Sequence, residues 1–343
     1  MALYLGLLLF SFIITSILVV PFINLLYRLK FQRKKQKTRD FLGKFTPIFD
    51  KFHTIKAGTP VGGGLLIIFL VTFLYLLLFP LLCFLGVYVS TVFPLKEELN
   101  VIFLTFICFG LLGLYDDIKK FFGFGKADFF GLRFRHKLVI QLILASVIAL
   151  LLFQNLKINF VYIPYFGVFR LGWLYVPLAA TIIVFFANAF NITDGLDGLS
   201  SGLLLICLFA FWILSSQVLD TPLSIFIALF IGCLIAFLYF NVWPARIWLG
   251  DVGALSFGAT LAVIGLLIGK IAALFIIGGL FVFEALTSLL QMVSKSFLKR
   301  KLFVCAPFHL WLQNRGWEEP KIVMRAWLAG IMLAIFGIWL AVI

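Results

Sequence analysis

Apolar runs separated by short polar breaks take up almost the whole chain, and that alternation constrains the fold before any single residue is weighed. Ten runs can be marked, at about 2–27, 61–79, 100–115, 138–153, 174–190, 199–214, 222–240, 252–268, 271–293 and 323–343. A helix needs about 20 residues to cross the hydrocarbon core of a bilayer, and most of the runs approach or reach that length. The fourth and sixth are short, so those helices are expected to extend or tilt. The stretch 252–293 is too long for one helix, and Gly269-Lys270 is its natural hairpin tip. Hydrophobic residues make up 64% of the 343 and charged residues 12%, with a mean hydropathy of +1.17. No soluble core requires so much apolar sequence. The expected fold is an all-α membrane protein with about ten transmembrane helices, a single polytopic domain over residues 1–343.

The first run is too long for the apolar core of a signal peptide, and its cationic flank follows it instead of preceding it, so it reads as a retained anchor. Four of the five cysteines fall inside apolar runs, as small buried hydrophobes and not as a disulfide framework. Ten crossings leave five loops on one side of the bilayer. Those loops, around 28–60, 116–137, 191–198, 241–251 and 294–322, hold with Arg325 24 of the 28 lysines and arginines. Lys96, Lys157, Arg170 and Lys270 fall on the other side. By the positive-inside rule the basic loops face the cytoplasm and both termini lie outside. The net charge of +14 therefore reflects topology and not a nucleic-acid groove, since no soluble domain carries it. Arg28, Lys30, Arg33, Lys34, Lys35, Lys37 and Arg39 form a run suited to anionic membrane lipids, or one that serves only as a topology anchor. The longest outer loop, about 154–173, alternates apolar and polar residues around Pro164 and Gly167, the pattern of a small periplasmic hairpin.

Acidic residues are scarce, and five aspartates lie at or beside the ends of apolar runs on the basic side: Asp116, Asp117, Asp194, Asp197 and Asp251. Carboxylates at membrane depth are costly unless they pair, bind a cation or do chemistry. Asp116-Asp117 closes the third run, where two adjacent charges repel each other and the negative end of a helix dipole. Lys119 and Lys120 follow at once and are the nearest cationic partners, or the group is simply a salt-bridged helix end. In Asn191-Ile-Thr-Asp194-Gly195-Leu196-Asp197-Gly198 two carboxylates stand three residues apart, each followed by a glycine, without a basic residue between the flanking spans. Such a loop lets backbone approach a ligand closely, although Asp-Gly is also ordinary turn chemistry. Asp251 opens an outgoing helix, a position an N-cap also occupies. Three acidic elements on one face, all oxygen ligands and no Cys/His cluster, point to Mg²⁺ or Mn²⁺ over zinc. Such an ion among lysines is the usual equipment for a diphosphate.

Several motifs together resemble a known family. They are Lys56-Ala-Gly-Thr59-Pro60-Val-Gly-Gly63-Gly64, Gly113-Leu-Tyr-Asp116-Asp117-Ile-Lys-Lys120, Asn191 to Gly198, and Asn241…Pro244-Ala…Gly250-Asp251-Val-Gly253. These look like the signatures of the polyprenyl-phosphate hexosamine-1-phosphate transferases. Gly316-Trp317-Glu318-Glu319…Val323-Met-Arg325-Ala-Trp327 and Gly279…Glu284-Ala-Leu…Gln291 narrow the likeness to the phospho-N-acetylmuramoyl-pentapeptide transferases. The resemblance implies transfer of phospho-MurNAc-pentapeptide from UDP-MurNAc-pentapeptide to undecaprenyl phosphate, giving lipid I and UMP, at the cytoplasmic face of a bacterial inner membrane. It implies Mg²⁺ on Asp251, with Asp194 sharing the metal, and Asp116 and Asp117 beside the ion or the lipid phosphate. Asn191 with Asp194 would hold the diphosphate. Lys56, Gly195, Leu196 and Asp197 would line the uridine pocket, with Trp248 stacked on uracil. Thr59, Lys120 and Asn241 would also bind substrate, and association into a homodimer stays open.

The match has departures. The family's run of three histidines reads here Pro307-Phe308-His309-Leu310-Trp311-Leu312-Gln313, so only His309 remains, and Val61 and Gly62 replace the residues after the Thr-Pro pair. His309 is read as a catalytic contact on the diphosphate or sugar side of the donor, with Leu310 and Trp311 in place of polar contacts. A sister transferase that uses UDP-GlcNAc is the near rival. An ion-coupled transporter is the distant one, since its acids would sit at midplane and inverted repeats would show. The ninth run is expected to flank the polyprenyl groove, with Glu284 in a structural role.

Overall fold

The structure is a computed structural model describing residues 2–32, 56, 58–122 and 132–343. The basic residues 33–39 and His53 lie outside the described residues. Ten of the described helices are long and apolar enough to cross a membrane. The spans are α1 (Ala2–Arg28), α2 (Gly63–Phe84), α3 (Leu95–Phe122), α4 (Phe134–Gln154), α5 (Tyr175–Thr193), α6 (Leu199–Gln217), α7 (Thr221–Asn241), α8 (Gly250–Leu267), α10 (Gly279–Phe297) and α12 (Glu319–Val342). Two short helices, α9 (Ile271–Ile277) and α11 (Phe308–Asn314), complete the set. Between α4 and α5 the outer hairpin forms as its alternation predicts, with β1 (Phe160–Ile163) antiparallel to β2 (Gly167–Arg170) and Phe160 opposite Arg170. All five cysteines are free.

The fourth and sixth runs do extend, to residues 134–154 and 199–217. The third extends furthest, which corrects the placement of Asp116-Asp117 at a helix end: α3 begins at Leu95, just after Pro94, and runs to Phe122. Glu97 and Glu98 occupy its first turn and Lys119 and Lys120 its last, each of the sign that the helix dipole favours at that end. The two aspartates therefore project from the side of a helix. The ninth run is also corrected, because it bends at Gly278 into α9 and α10. A Cβ at Gly278 would lie 2.7 Å from the Phe186 ring and 3.0 Å from the Leu274 carbonyl, so the position tolerates only glycine, and the Gly278-Gly279 pair interrupts the helix.

Helices α7 and α8 form the buried centre and the others wrap them. Without a hydrophobic drive between helices in lipid, close approach depends on small residues. Ser11 of α1 meets Gly232 of α7, Gly64 of α2 meets Gly253 of α8, and Gly258 of α8 meets Ala187 and Phe190 of α5. Phenylalanines fill the space between these crossings. Phe106 of α3 and Phe226 of α7 meet edge to face at 5.3 Å, Phe230 and Phe257 lie 4.9 Å apart, and Phe190 stacks on Phe281 at 5.0 Å. The periphery is apolar too: α10 turns Phe283, Leu286, Leu289, Leu290 and Val293 outward, all exposed, while Phe281, Glu284, Ala285 and Gln291 face the bundle.

Candidate active site

At one end of the bundle α3, α4 and α8 bring three carboxylates together. The crossing of α3 and α8 is close because Gly113 has no side chain, and a Cβ there would fall on the backbone of Asp251 and Val252. One turn further on, Asp117 Oδ2 accepts the Val252 N–H at 3.1 Å and so caps the start of α8 from a neighbouring helix. Gly250 makes room for that carboxylate. Its φ of +76° is left-handed, and a Cβ would lie 2.7 Å from Asp117 Oδ2.

Asp116 and Asp251 are bridged twice. Lys120 Nζ lies 3.1 Å from Asp116 Oδ2 and 2.8 Å from Asp251 Oδ2, and 3.8 Å from Asp117 Oδ1. Lys137, in the first turn of α4, lies 3.0 Å from Asp116 Oδ2 and also pairs with Asp251. Asp116 and Asp117 are buried, with 3% and 2% of their side chains exposed, whereas Asp251 keeps 15% open on the loop side. Asp116 Oδ1 accepts the Leu132 N–H at 2.6 Å, which ties the start of α4 to α3.

A second cluster lies in the loops next to the first. Lys56 is buried, 2.8 Å from Asp197 Oδ1 and paired with Glu319. Glu319 Oε1 also accepts the Asp197 N–H at 2.6 Å, and Asp197 Oδ2 accepts the Ala245 N–H at 2.9 Å. The Lys56 ammonium stands 5.5 Å from the ring centres of both Trp243 and Trp248. Trp248 is held by backbone: it donates to Pro60 O at 3.0 Å and accepts from Gly62 and Gly63 N–H at 3.0 and 2.8 Å. Thr59, half-buried, completes that turn with its N–H on Lys56 O at 3.4 Å.

Asp194 stands between the clusters as the first residue past α5, with Ser200 donating to its carboxylate. Burial pushes its carboxyl up to about 7; the Asp251 and Asp197 charges add to the rise, and the Ser200 hydrogen bond and the Lys56 charge oppose it. Asn191 lies in the last turn of α5, half-buried. Leu196 is buried in the core, so only its backbone faces the loop. Asn241 is turned to the fold: its amide donates to Ile247 O at 2.9 Å and accepts from Ser201 at 2.5 Å, fixing the loop that carries Trp248.

His309, the one histidine left of its run, is buried with its ring against Gly195, where a Cβ would lie 2.5 Å from Nε2. Its backbone N–H donates to Glu284 Oε1 at 3.1 Å, and its Nδ1 stands 3.2 Å from Glu284 Oε2. Glu284 thus holds the histidine, and Leu310 beside it is buried. Lys137, Glu319 and Ser200 were not singled out as site residues from sequence. In sequence Lys137 resembles any lysine of a basic loop.

Among the described residues no three His, Cys, Asp or Glu side chains stand in a metal-binding arrangement. The donor chemistry of Asp116, Asp117 and Asp251 nevertheless fits a hard divalent cation, because all their oxygens are carboxylate and two ammonium groups occupy the positive position among them. An ion would take the oxygens of Asp116 and Asp251 that Lys120 and Lys137 now share.

Residues 99–269, from the start of α3 past the end of α8, match the family model described as glycosyl transferase family 4. Similarity to individual proteins extends further. The phospho-N-acetylmuramoyl-pentapeptide-transferase of Aquifex aeolicus is 34% identical over 94% of this chain and 91% of its own. That of Halalkalibacterium halodurans is 34% identical over 98% and 96%, and that of Pelagibacter ubique 36% identical over 82% and 80%. At that identity and over that length the chain belongs to the phospho-N-acetylmuramoyl-pentapeptide-transferase family.

Proposed function

We propose that this membrane phosphoglycosyl transferase moves phospho-MurNAc-pentapeptide from UDP-MurNAc-pentapeptide to undecaprenyl phosphate, releasing UMP and leaving lipid I in the bacterial inner membrane. The observation that carries the reading is the convergence of Asp116, Asp117 and Asp251, with Lys120 and Lys137, beside the Lys56–Asp197–Glu319 cluster at one end of an apolar bundle. The concentration of lysines and arginines in the loops at that end supports a cytoplasmic active site and outward termini.

An acceptor phosphate oxygen attacks the donor's β-phosphorus, the bond to the UMP oxygen breaks, and UMP departs with the electron pair. Both reactants are anions, so the site must reduce their repulsion and align them. Mg²⁺, or Mn²⁺ in its place, held by Asp251 with Asp116, Asp117 and Asp194 within reach, supplies charge neutralisation when bound. With these carboxylates holding an ion, Lys120 and Lys137 would be available to bind and orient the phosphates. Asp117, whose Oδ2 accepts the Val252 N–H, would take the acceptor's last proton, or in a two-step route would attack the donor's β-phosphorus with release of UMP and then pass the phosphosugar to the acceptor. Lys56, Gly195 and Asp197 hold the nucleotide end, with Trp248 as the stacking surface for uracil. His309, backed by Glu284, presents its Nε2 side to the loop that holds the diphosphate. The exposed apolar face of α10 suits the polyprenyl chain.

A second reading, with UDP-GlcNAc as donor, draws on the buried Leu310 and the half-buried Trp311, where the family has histidines. The deciding experiment offers purified protein each UDP-sugar with undecaprenyl phosphate and Mg²⁺ and scores the lipid product. Product from UDP-MurNAc-pentapeptide alone is expected. Product from UDP-GlcNAc alone would replace the donor, and none from either would refute the assignment.

A further inference from the structure

The corner between α11 and α12 carries three cations that, among the described residues, have no carboxylate partner. The Arg315 guanidinium lies 4.8 Å from the Trp311 ring centre, while Lys321 and Arg325 lie 5.0 and 4.6 Å from that of Trp317. Trp311 itself stacks on Phe308 at 5.6 Å. The corner is held by backbone, with Gly316 N–H on Gln313 O at 2.9 Å and Trp317 N–H on Leu312 O at 3.1 Å. All three cations are exposed, both indoles are half-buried, and among the described residues no acidic group lies within ion-pair distance of any of them. Two like charges on one indole repel each other, which leaves the shelf short of an anion.

Position decides which anion. One end of this corner is His309 against Gly195, and the other is Glu319 on Lys56 and Asp197. Arg315, Lys321 and Arg325 are within six residues of those two anchors, so along the helices they lie about 10 Å from the loop of the donor cluster. That loop and its neighbours are rich in carboxylates, so a negatively charged appendage on the donor is repelled from the site itself and drawn to the rim.

We infer that Arg315, Lys321 and Arg325, on their Trp311 and Trp317 shelves, bind the free carboxylates of the donor's peptide and thereby select a peptide-bearing nucleotide sugar. The inference rests on the transferase reading above and deepens it.

The test compares UDP-MurNAc-pentapeptide with the same donor after its peptide carboxylates are converted to amides, in vesicles with and without anionic lipid. An exposed ion pair is worth about a factor of two to five, so three together predict about a tenfold difference. The wild-type protein should show a KM about tenfold lower for the free-carboxylate donor, and this arm needs no variant. In Arg315→Gln/Lys321→Gln/Arg325→Gln, whose side chains still cover the indoles, that preference should vanish, with kcat on the amide donor and KM for undecaprenyl phosphate unchanged. Equal KM values for the two donors in the wild type would overturn the inference while leaving the transferase reading intact. A variant that instead raises acceptor KM, or whose defect depends on anionic lipid, would assign the shelf to headgroups and overturn it too. If the wild type turns over neither donor, the transferase reading fails first.

Discussion

Replacing Lys137 by methionine removes one ammonium from the carboxylate cluster and preserves most of the side chain's bulk. Two carboxylates about 5 Å apart repel by about 3 kcal/mol at an effective dielectric constant near 20, and the lysines offset this. Lys120 stays within 3.1 Å of Asp116 and 2.8 Å of Asp251, so about half of the compensation survives. The Lys137 side chain is 12% exposed, and solvent screens part of what remains. The expected loss of stability is therefore about 1–2 kcal/mol. The same substitution removes a competitor for the Asp116 and Asp251 oxygens, so a divalent cation should bind about tenfold more tightly. Turnover should fall, because on the proposed mechanism an ammonium that would bind the phosphates is gone. The assay is the melting temperature of purified protein against Mg²⁺ or Mn²⁺ concentration, where an ion that binds only the folded state raises stability by RT ln(1 + [L]/Kd). Lys137→Met should start lower and reach its half-maximal rise at about one-tenth of the wild-type ion concentration. Equal midpoints would refute the idea that ammonium and metal compete for those oxygens.

Gly113→Ala would push α3 off the Asp251 backbone, costing about 1–3 kcal/mol. The displacement of Asp116 and Asp117 should reduce turnover about a hundredfold in protein shown to be folded, and a near-normal rate would show that the crossing does not set the site. Asp194→Asn tests the raised carboxyl. Its folded value near 7 lies above the ordinary one, so the wild type loses stability as pH rises from about 4 to about 7 and no further above that. The variant, neutral throughout, should match the wild type near pH 4 and exceed it by about 4 kcal/mol at pH 8, read from melting temperatures; a pH-independent difference would refute the burial account. Glu284→Leu leaves the His309 N–H buried without an acceptor and should cost about 2 kcal/mol, whereas Glu284→Gln should keep most of that stability. Equal melting temperatures for the two would show that the hydrogen bond does not matter.

Much of the fold was legible because lipid simplifies the code. Where each span must be an apolar helix, runs and breaks alone give ten spans, and alternation about Pro164 gives the hairpin. The Asp-rich loops were legible for the related reason that carboxylates at such places need a partner. The bend at Gly278 was not, because a glycine inside an apolar run is common in membrane helices and only its contact with Phe186 makes it a break. Nor was Lys137, since the positive-inside rule fills the loops with lysines and hides one whose ammonium joins two helices. The partners of Asn241 were not legible either. Its amide donates to Ile247 O in the Trp248 loop and accepts from the Ser201 hydroxyl of α6, so in the structure its side chain is engaged with the fold. Cys305 lies in a basic loop but is buried, so exposure could not be read from loop membership.

The balance of charge in the two clusters bears on how such a site can work repeatedly. Six carboxylates, those of Asp116, Asp117, Asp194, Asp197, Asp251 and Glu319, stand with three ammoniums, those of Lys56, Lys120 and Lys137. Taken alone this set repels a diphosphate, although the substrates it is proposed to bind are both phosphorylated. A site made of lysines only would bind reactants and products with similar strength, which lowers KM without lowering the barrier. Ammoniums already paired with carboxylates are different, because their charge becomes available to a phosphate only while a metal ion occupies the carboxylate oxygens. On the proposed reading, affinity for phosphate would then be conditional on a bound divalent ion, because Lys120 and Lys137 are otherwise paired with Asp116 and Asp251. On that proposal the pairings of Lys120 and Lys137 with the same two aspartates would be the resting state of the groups that hold the reacting phosphates.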